Sequence, residues 1–110
     1  MSYESKARRC AIWFAMSDLR SRGYIIDRCC GKNRIFDLIA WNRDSILGLL
    51  IRTARTQNIR TYTEEITKIS SLVQDRMVPG RTELWLYHPN GRSRYQILPG
   101  GAISIREAGL

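Results

Sequence analysis

Phe36-Asp37-Leu38-Ile39-Ala40-Trp41, then Asn42-Arg43-Asp44, then Ser45-Ile46-Leu47-Gly48-Leu49-Leu50-Ile51-Arg52-Thr53-Ala54-Arg55 is the stretch that decides the fold. Both flanks are rich in β-formers, and the Asn-Arg-Asp step between them is turn chemistry, so the segment predicts strands over Arg34–Trp41 and Ser45–Ala54. The two runs are apolar on both faces, as expected of strands in the middle of a sheet that is covered on both sides.

Upstream, Tyr3, Ala7, Cys10, Ala11, Phe14, Ala15 and Leu19 recur at spacings of three and four, which predicts an amphipathic helix from Tyr3 to Arg22. Lys6, Arg9 and Arg20 are assigned to its opposite face. Gly23 suits the helix terminus, and Tyr24-Ile25-Ile26 opens a first strand that ends at the turn Cys30-Gly31-Lys32-Asn33. Downstream, a second helix is expected over Thr63–Met77, with Thr63 as its cap and Glu64 and Glu65 at its positive end. Ile66, Ile69, Val73 and Met77 fall along one side of it, and Val78-Pro79-Gly80 stops it. Thr82–Tyr87 and Arg92–Leu98 read as a hairpin around Pro89-Asn90-Gly91. Pro99-Gly100-Gly101 is a turn, and Ala102–Arg106 is left as either an edge strand or a cover over the core. The order α-β-β-β-α-β-β makes the chain α/β, with a mixed sheet of about five strands and two helices.

The length of 110 residues and a hydrophobic share of 44% suit one domain over residues 1–110. The longest apolar run, Ile46–Ile51, is far short of the roughly 20 residues of a membrane helix, and the N-terminus lacks a secretory apolar stretch. No membrane partner and a cytoplasmic location are expected. Three cysteines, Cys10, Cys29 and Cys30, argue against a disulfide scaffold, and with one histidine there is no zinc ligand set. Cys29 and Cys30 are read as buried or half-buried residues without chemistry.

The net charge is +8, and it is unevenly spread: residues 1–60 hold 12 Lys/Arg against 5 Asp/Glu, whereas residues 61–110 hold 6 against 5. Arginine supplies 15 of the 18 cations, and its planar fork matches phosphate oxygens. A polyanion is the expected partner, a nucleic acid and DNA foremost. Lys32, Arg34, Arg43, Arg55 and Arg60, with Arg52, are the candidates to line one rim and neutralise phosphates. The alternative for each is an ordinary solvated arginine. Trp13, Trp41, Trp85, Tyr62 and Tyr87 are assigned to the core before base stacking, and His88 receives no role.

The helix ending in Arg22-Gly23-Tyr24, the strand Phe36-Asp37-Leu38-Ile39-Ala40 and the strand ending Ile51-Arg52-Thr53-Ala54-Arg55 resemble the core of the PD-(D/E)XK nucleases, the restriction-endonuclease-like superfamily. The layout is most similar to archaeal Holliday-junction resolvases and small homing endonucleases, which often act as dimers, so a homodimer is an expectation too. The resemblance implies that Asp37 takes the place of the family's metal-binding aspartate, Leu50 that of its Glu/Gln and Arg52 that of its lysine. In the family these groups hold magnesium and assist the attacking water. Leu50 offers no ligand, however, and an arginine does not exchange protons near neutrality. No metal is therefore expected, Asp37 being the ligand if one binds, and magnesium enters only with an active nuclease. For Asp37 and Arg52 three readings stand: an ion pair between strands, a phosphate-binding Arg52, or a metal site rebuilt with acids elsewhere such as Glu83. Glu4, the acid early in the first helix, lies further from Gly23 than the family's added glutamate. The leading reading is a DNA-binding protein with a degenerate, inactive nuclease fold. The alternatives are a metal-dependent endonuclease or resolvase with a variant site, and a non-enzymatic protein-interaction subunit.

Overall fold

The computed structural model describes residues 3–56 and 58–106, with side chains from Ala7 onward. Helix α1 spans Tyr3–Ser21, followed by strands β1 (Ile25–Arg28), β2 (Leu38–Trp41) and β3 (Ile46–Thr53). A 3-10 turn at Ile59–Tyr62 leads into α2 (Thr63–Gln74), and β4 (Arg81–His88), β5 (Gly91–Leu98) and β6 (Gly101–Ile105) complete the chain. The strands lie in sequential order β1 to β6 in one sheet. Every neighbouring pair is antiparallel except β3 and β4, which run parallel because α2 crosses between them. The sheet has six strands because the tail pairs with β5 as an edge. Its middle is β3 and β4, while β2 stands second from the edge.

One helix covers each face. Ala11, Ile12, Ala15 and Leu19 of α1 pack on Leu38, Ala40, Leu47, Leu49, Ile51 and Trp85. On the other face Ile66 and Ile69 of α2 meet Phe36, Leu50, Leu84, Leu86 and Ile97. Alternation along β3 thus sends Leu49 and Ile51 towards α1, and Leu50 and Arg52 towards α2.

Both helices end in the same motif. The Tyr24 amide donates to Leu19 O and the Gly23 amide to Arg20 O, with Gly23 left-handed at φ 87°. At α2 the Met77 and Arg76 amides donate to Leu72 O and Val73 O, and Arg76 adopts φ 57°. This second terminus corrects the sequence expectation. A non-glycine residue takes the left-handed position, so α2 stops at Gln74 and Met77 is exposed. Nor does Thr63 cap α2: Tyr62 holds the cap position without a side-chain capping bond, its hydroxyl donating to Thr53 O instead, and Thr63 Oγ1 donates to Arg60 O. Strand β2 begins at Leu38 rather than Arg34, and the chain bends at Ile35 and Asp37 before it.

The α1 stripe is also rotated from the expected one. At about 100° per residue, Arg8, Ala11, Ile12, Ala15 and Leu19 share one arc, and Phe14, Cys10 and Ala7 fall outside it. Trp13 and Phe14 are accordingly exposed, their rings edge-to-face at 5.3 Å. Trp13 is therefore not a core residue, whereas Trp85 is fully buried and Trp41, Tyr62 and Tyr87 are half-buried. Cys29 is half-buried, but Cys30 is exposed.

The tightest backbone approach lies at the entry to β4. A Cβ on Gly80 would sit 2.4 Å from the carbonyl oxygen of Ile46. Gly80→Ala is expected to cost about 1–3 kcal/mol in thermal or urea unfolding, because backbone rather than a side chain must yield.

Candidate functional site

Asp37 lies just before β2, where the ladder continues past the strand: its amide donates to Leu49 O, and its own carbonyl accepts from the Cys29 amide. The position buries the carboxylate almost completely, at 2% exposure. Its two oxygens take four donors. Oδ1 accepts from Arg8 Nη2 at 2.6 Å and Arg34 Nε at 3.2 Å; Oδ2 accepts from the Ile51 amide at 2.9 Å and Arg52 Nη1 at 2.6 Å. Burial alone would raise the Asp37 pKa, but the Ile51 amide and the Arg52 and Arg8 guanidiniums outweigh it and hold it below the ordinary value.

Arg52 is fixed from its other side by α2. Its Nε donates to Glu65 Oε1 at 2.8 Å, its Nη2 pairs with Glu65 Oε2, and its Nη1 also reaches Ile51 O. Burial opposes the charge on Arg52, yet Glu65 and Asp37 prevail and raise its pKa further. It is a permanent cation.

Around this pair lies a cavity of about 270 Å³ in which Arg8, Lys32, Arg34 and Arg52 face the single carboxylate of Asp37. Arg8 Nε is buried without an acceptor among the described residues. The surplus is positive, and the donors are forks suited to an oxyanion.

The arrangement does not fit magnesium. An ionised carboxylate offers about four lone-pair sites, and all four here hold hydrogen bonds. Three guanidiniums would also repel a divalent cation. Leu50 is wholly enclosed in the α2-side core and offers no ligand. No group of three or more His, Cys, Asp or Glu among the described residues is arranged to hold a metal. Glu83 does not come to the site: it pairs with Arg94 and Arg81 and accepts from Trp85, lining a separate cavity. The side chain of Glu4 lies outside the described residues.

Lys32 and Arg34 join Arg52 as anticipated, and Arg55 and Arg60 are exposed in the connection beyond the same end of β3. Arg43 does not share that rim. It sits in the turn before β3, about 20 Å from Arg52 along the strand at roughly 3.3 Å per residue. Sequence reasoning missed Arg8 and Glu65. The signal for Arg8 was its i+3 and i+4 relation to Ala11 and Ile12; for Glu65 no sequence signal pointed to Arg52. His88, given no role, shares a 2.9 Å hydrogen bond between Nε2 and Ser93 Oγ.

No helix among the described residues is long and apolar enough to cross a membrane. No family model and no curated protein sequence matches the chain. Among solved structures it is similar to the Holliday junction resolvase Hjc of the archaeal hyperthermophile Archaeoglobus fulgidus, with a TM-score of 0.60 and 12% identity over 91% of this chain and 88% of that one. Six strands in a mixed sheet, a helix on each face and this match together give the chain a resolvase-like, restriction-endonuclease-like fold.

Proposed function

We propose that residues 1–110 form one nuclease-like domain that binds nucleic acid, DNA foremost, by its phosphates and does not cleave it by the metal-dependent route. The observation that carries this reading is the saturation of Asp37 by four donors, which turns the position of a metal ligand into the counter-ion of an arginine cluster. Arg8, Lys32 and Arg34 keep donors for an oxyanion, while Arg55 and Arg60 extend positive charge along the same end of the sheet. The resolvase that the fold resembles acts on branched DNA, which makes a four-way junction the natural first probe.

The test joins a cleavage gel to a binding titration on duplex, single-stranded and four-way-junction DNA. With magnesium or manganese, DNA is expected to remain intact in every lane. Binding to duplex is expected at low salt, with log K falling against log salt by about 0.9 per phosphate neutralised. Arg55→Ala and Arg60→Ala should each reduce that slope by about one, weakening all sequences alike. Absence of affinity for every probe at low salt refutes the proposal. Cleavage that disappears in Asp37→Ala establishes instead an endonuclease or resolvase with a variant metal site.

A further inference from the structure

The arginine cluster is one end of a longer depression. Arg8 and Arg52 line both the cage and an adjoining cavity with Thr53, and Thr53 in turn lines a cavity of about 370 Å³ with Phe14, Tyr87 and His88. This last passes into a space of about 610 Å³ bordered by Pro89 and Arg92. The continuity follows from topology. β3 and β4 run parallel with Thr53 opposite Tyr87, and the Ala54 amide donates to Tyr87 O, so the two strands finish side by side. Over them α1 carries Arg8 and Phe14 six residues apart, about 9 Å along the axis at 1.5 Å per residue.

The chemistry changes along this track. The cage offers guanidiniums, whereas the two cavities beyond Thr53 are lined by aromatic and aliphatic groups with Arg92 at the rim and no carboxylate. Phe14 is 55% exposed there. The His88 ring is fixed by Ser93, and its Nδ1 is buried with no partner among the described residues, a polar edge that the protein leaves unsatisfied. Phosphate donors joined, through a cavity where Glu65 is held by Arg52, to an aromatic wall that itself carries no acid match a nucleotide whose base is unstacked, since a base in a duplex presents no free face.

Building on the nucleic-acid reading, we infer that this depression takes an unpaired nucleotide of a single strand, its backbone phosphate at Arg8, Lys32 and Arg34 and its base on Phe14 and Tyr87. The occupant is thus a strand end, an overhang or a separated strand, in preference to a closed duplex.

Fluorescence anisotropy with a labelled mixed-sequence single strand, its blunt duplex and the same strand with abasic sites tests this at low salt. The wild type is expected to bind the intact strand at least about fivefold more tightly than either other probe, the scale of one base–aromatic stack. Phe14→Ala, an exposed site with the fold checked by circular dichroism, should erase that preference without changing duplex affinity, and Phe14→Tyr should keep it. Equal binding of all three probes, or an equal loss on strand and duplex in Phe14→Ala, overturns the inference while DNA binding stands. A dimer that Phe14→Ala dissociates with probe preference unchanged assigns the face to a second copy and overturns it too. No binding to any probe refutes both this inference and the function on which it rests.

Discussion

Asp37→Asn is expected to destabilise the protein by about 3–5 kcal/mol and at the same time to tighten its hold on nucleic acid at low salt. The carboxylate is enclosed, and its charge is the counter-ion of Arg52, whose side chain is 16% exposed. Arg8 and Arg34 are more open, at 37% and 30%, so solvent screens their share and the Arg52 contact dominates. An asparagine of the same shape keeps one acceptor and turns an NH₂ donor towards donors, so the buried donors lose an acceptor and Arg52 keeps Glu65 alone as its charge partner. The urea midpoint should fall with the m-value unchanged. The opposite sign in binding arises because the cage loses its only negative charge: a phosphate then meets four cations and no carboxylate. A metal ligand is told apart by activity: its loss would abolish a metal-dependent cleavage.

The same substitution separates out a pH dependence. The folded Asp37 pKa lies below 3.8, so its stabilising contribution is full above that value and is lost as pH falls through the depressed folded pKa. The stability gap between wild type and Asp37→Asn should be constant from neutral pH down to about pH 5 and close below about pH 4. Asp18 is also held low; burial opposes this, and Arg92 and Arg22 outweigh it. Its loss in acid occurs in both proteins and cancels in the difference. A gap that instead persists at pH 2 would mean that the contacts of Asp37 stabilise through shape rather than charge.

Most of the fold was legible because it is written locally. Gly23 takes the left-handed helix terminus, Gly91 at φ 128° closes a two-residue hairpin loop, and the apolar runs of residues 38–51 fill both faces of the sheet. The site was legible only in part, because its partners are distant in sequence and polar. Arg8 lies 29 residues from Asp37 and was hidden by a reading that counts apolar positions; its aliphatic stem shares the buried arc while its head reaches the carboxylate. Glu65 was assigned to the positive end of α2, which it does occupy, but its bond to Arg52 exists only because α2 is laid across that face of β3. Arg43 was grouped with Arg52 by composition, and strand length separates them. Arginine at this position has a consequence that the sequence alone does not convey: five donors in a rigid fork hold Asp37 and Glu65 together, so Arg52 staples a strand to a helix.

The second large effect is expected at Glu83, away from the cage. It is 1% exposed on the α1 side of β4, where Oε1 accepts from Arg94 Nη2 at 2.8 Å, Arg94 Nε at 3.1 Å and Trp85 Nε1 at 2.9 Å, and Oε2 pairs with Arg81 at 2.9 Å. Arg94, itself 5% exposed, lies 5.6 Å from the Trp85 ring centre, and Arg92 stacks on that ring at 4.4 Å. Glu83→Ala leaves the buried Arg94 guanidinium without its carboxylate partner, and should cost about 3–5 kcal/mol. Removing both charges in Glu83→Leu/Arg94→Leu should recover most of that loss, because desolvating the pair offsets much of its attraction. Neither protein should change its affinity for nucleic acid, since this cavity shares no residue with the cage. The comparison discriminates between an acid kept for structure and one kept for a metal. A structural acid is dispensable once its partner is gone, whereas an acid serving a metal is not. If the double variant folds stably but loses a magnesium-dependent property of the wild type, Glu83 belongs to a working metal site and the inactive reading fails.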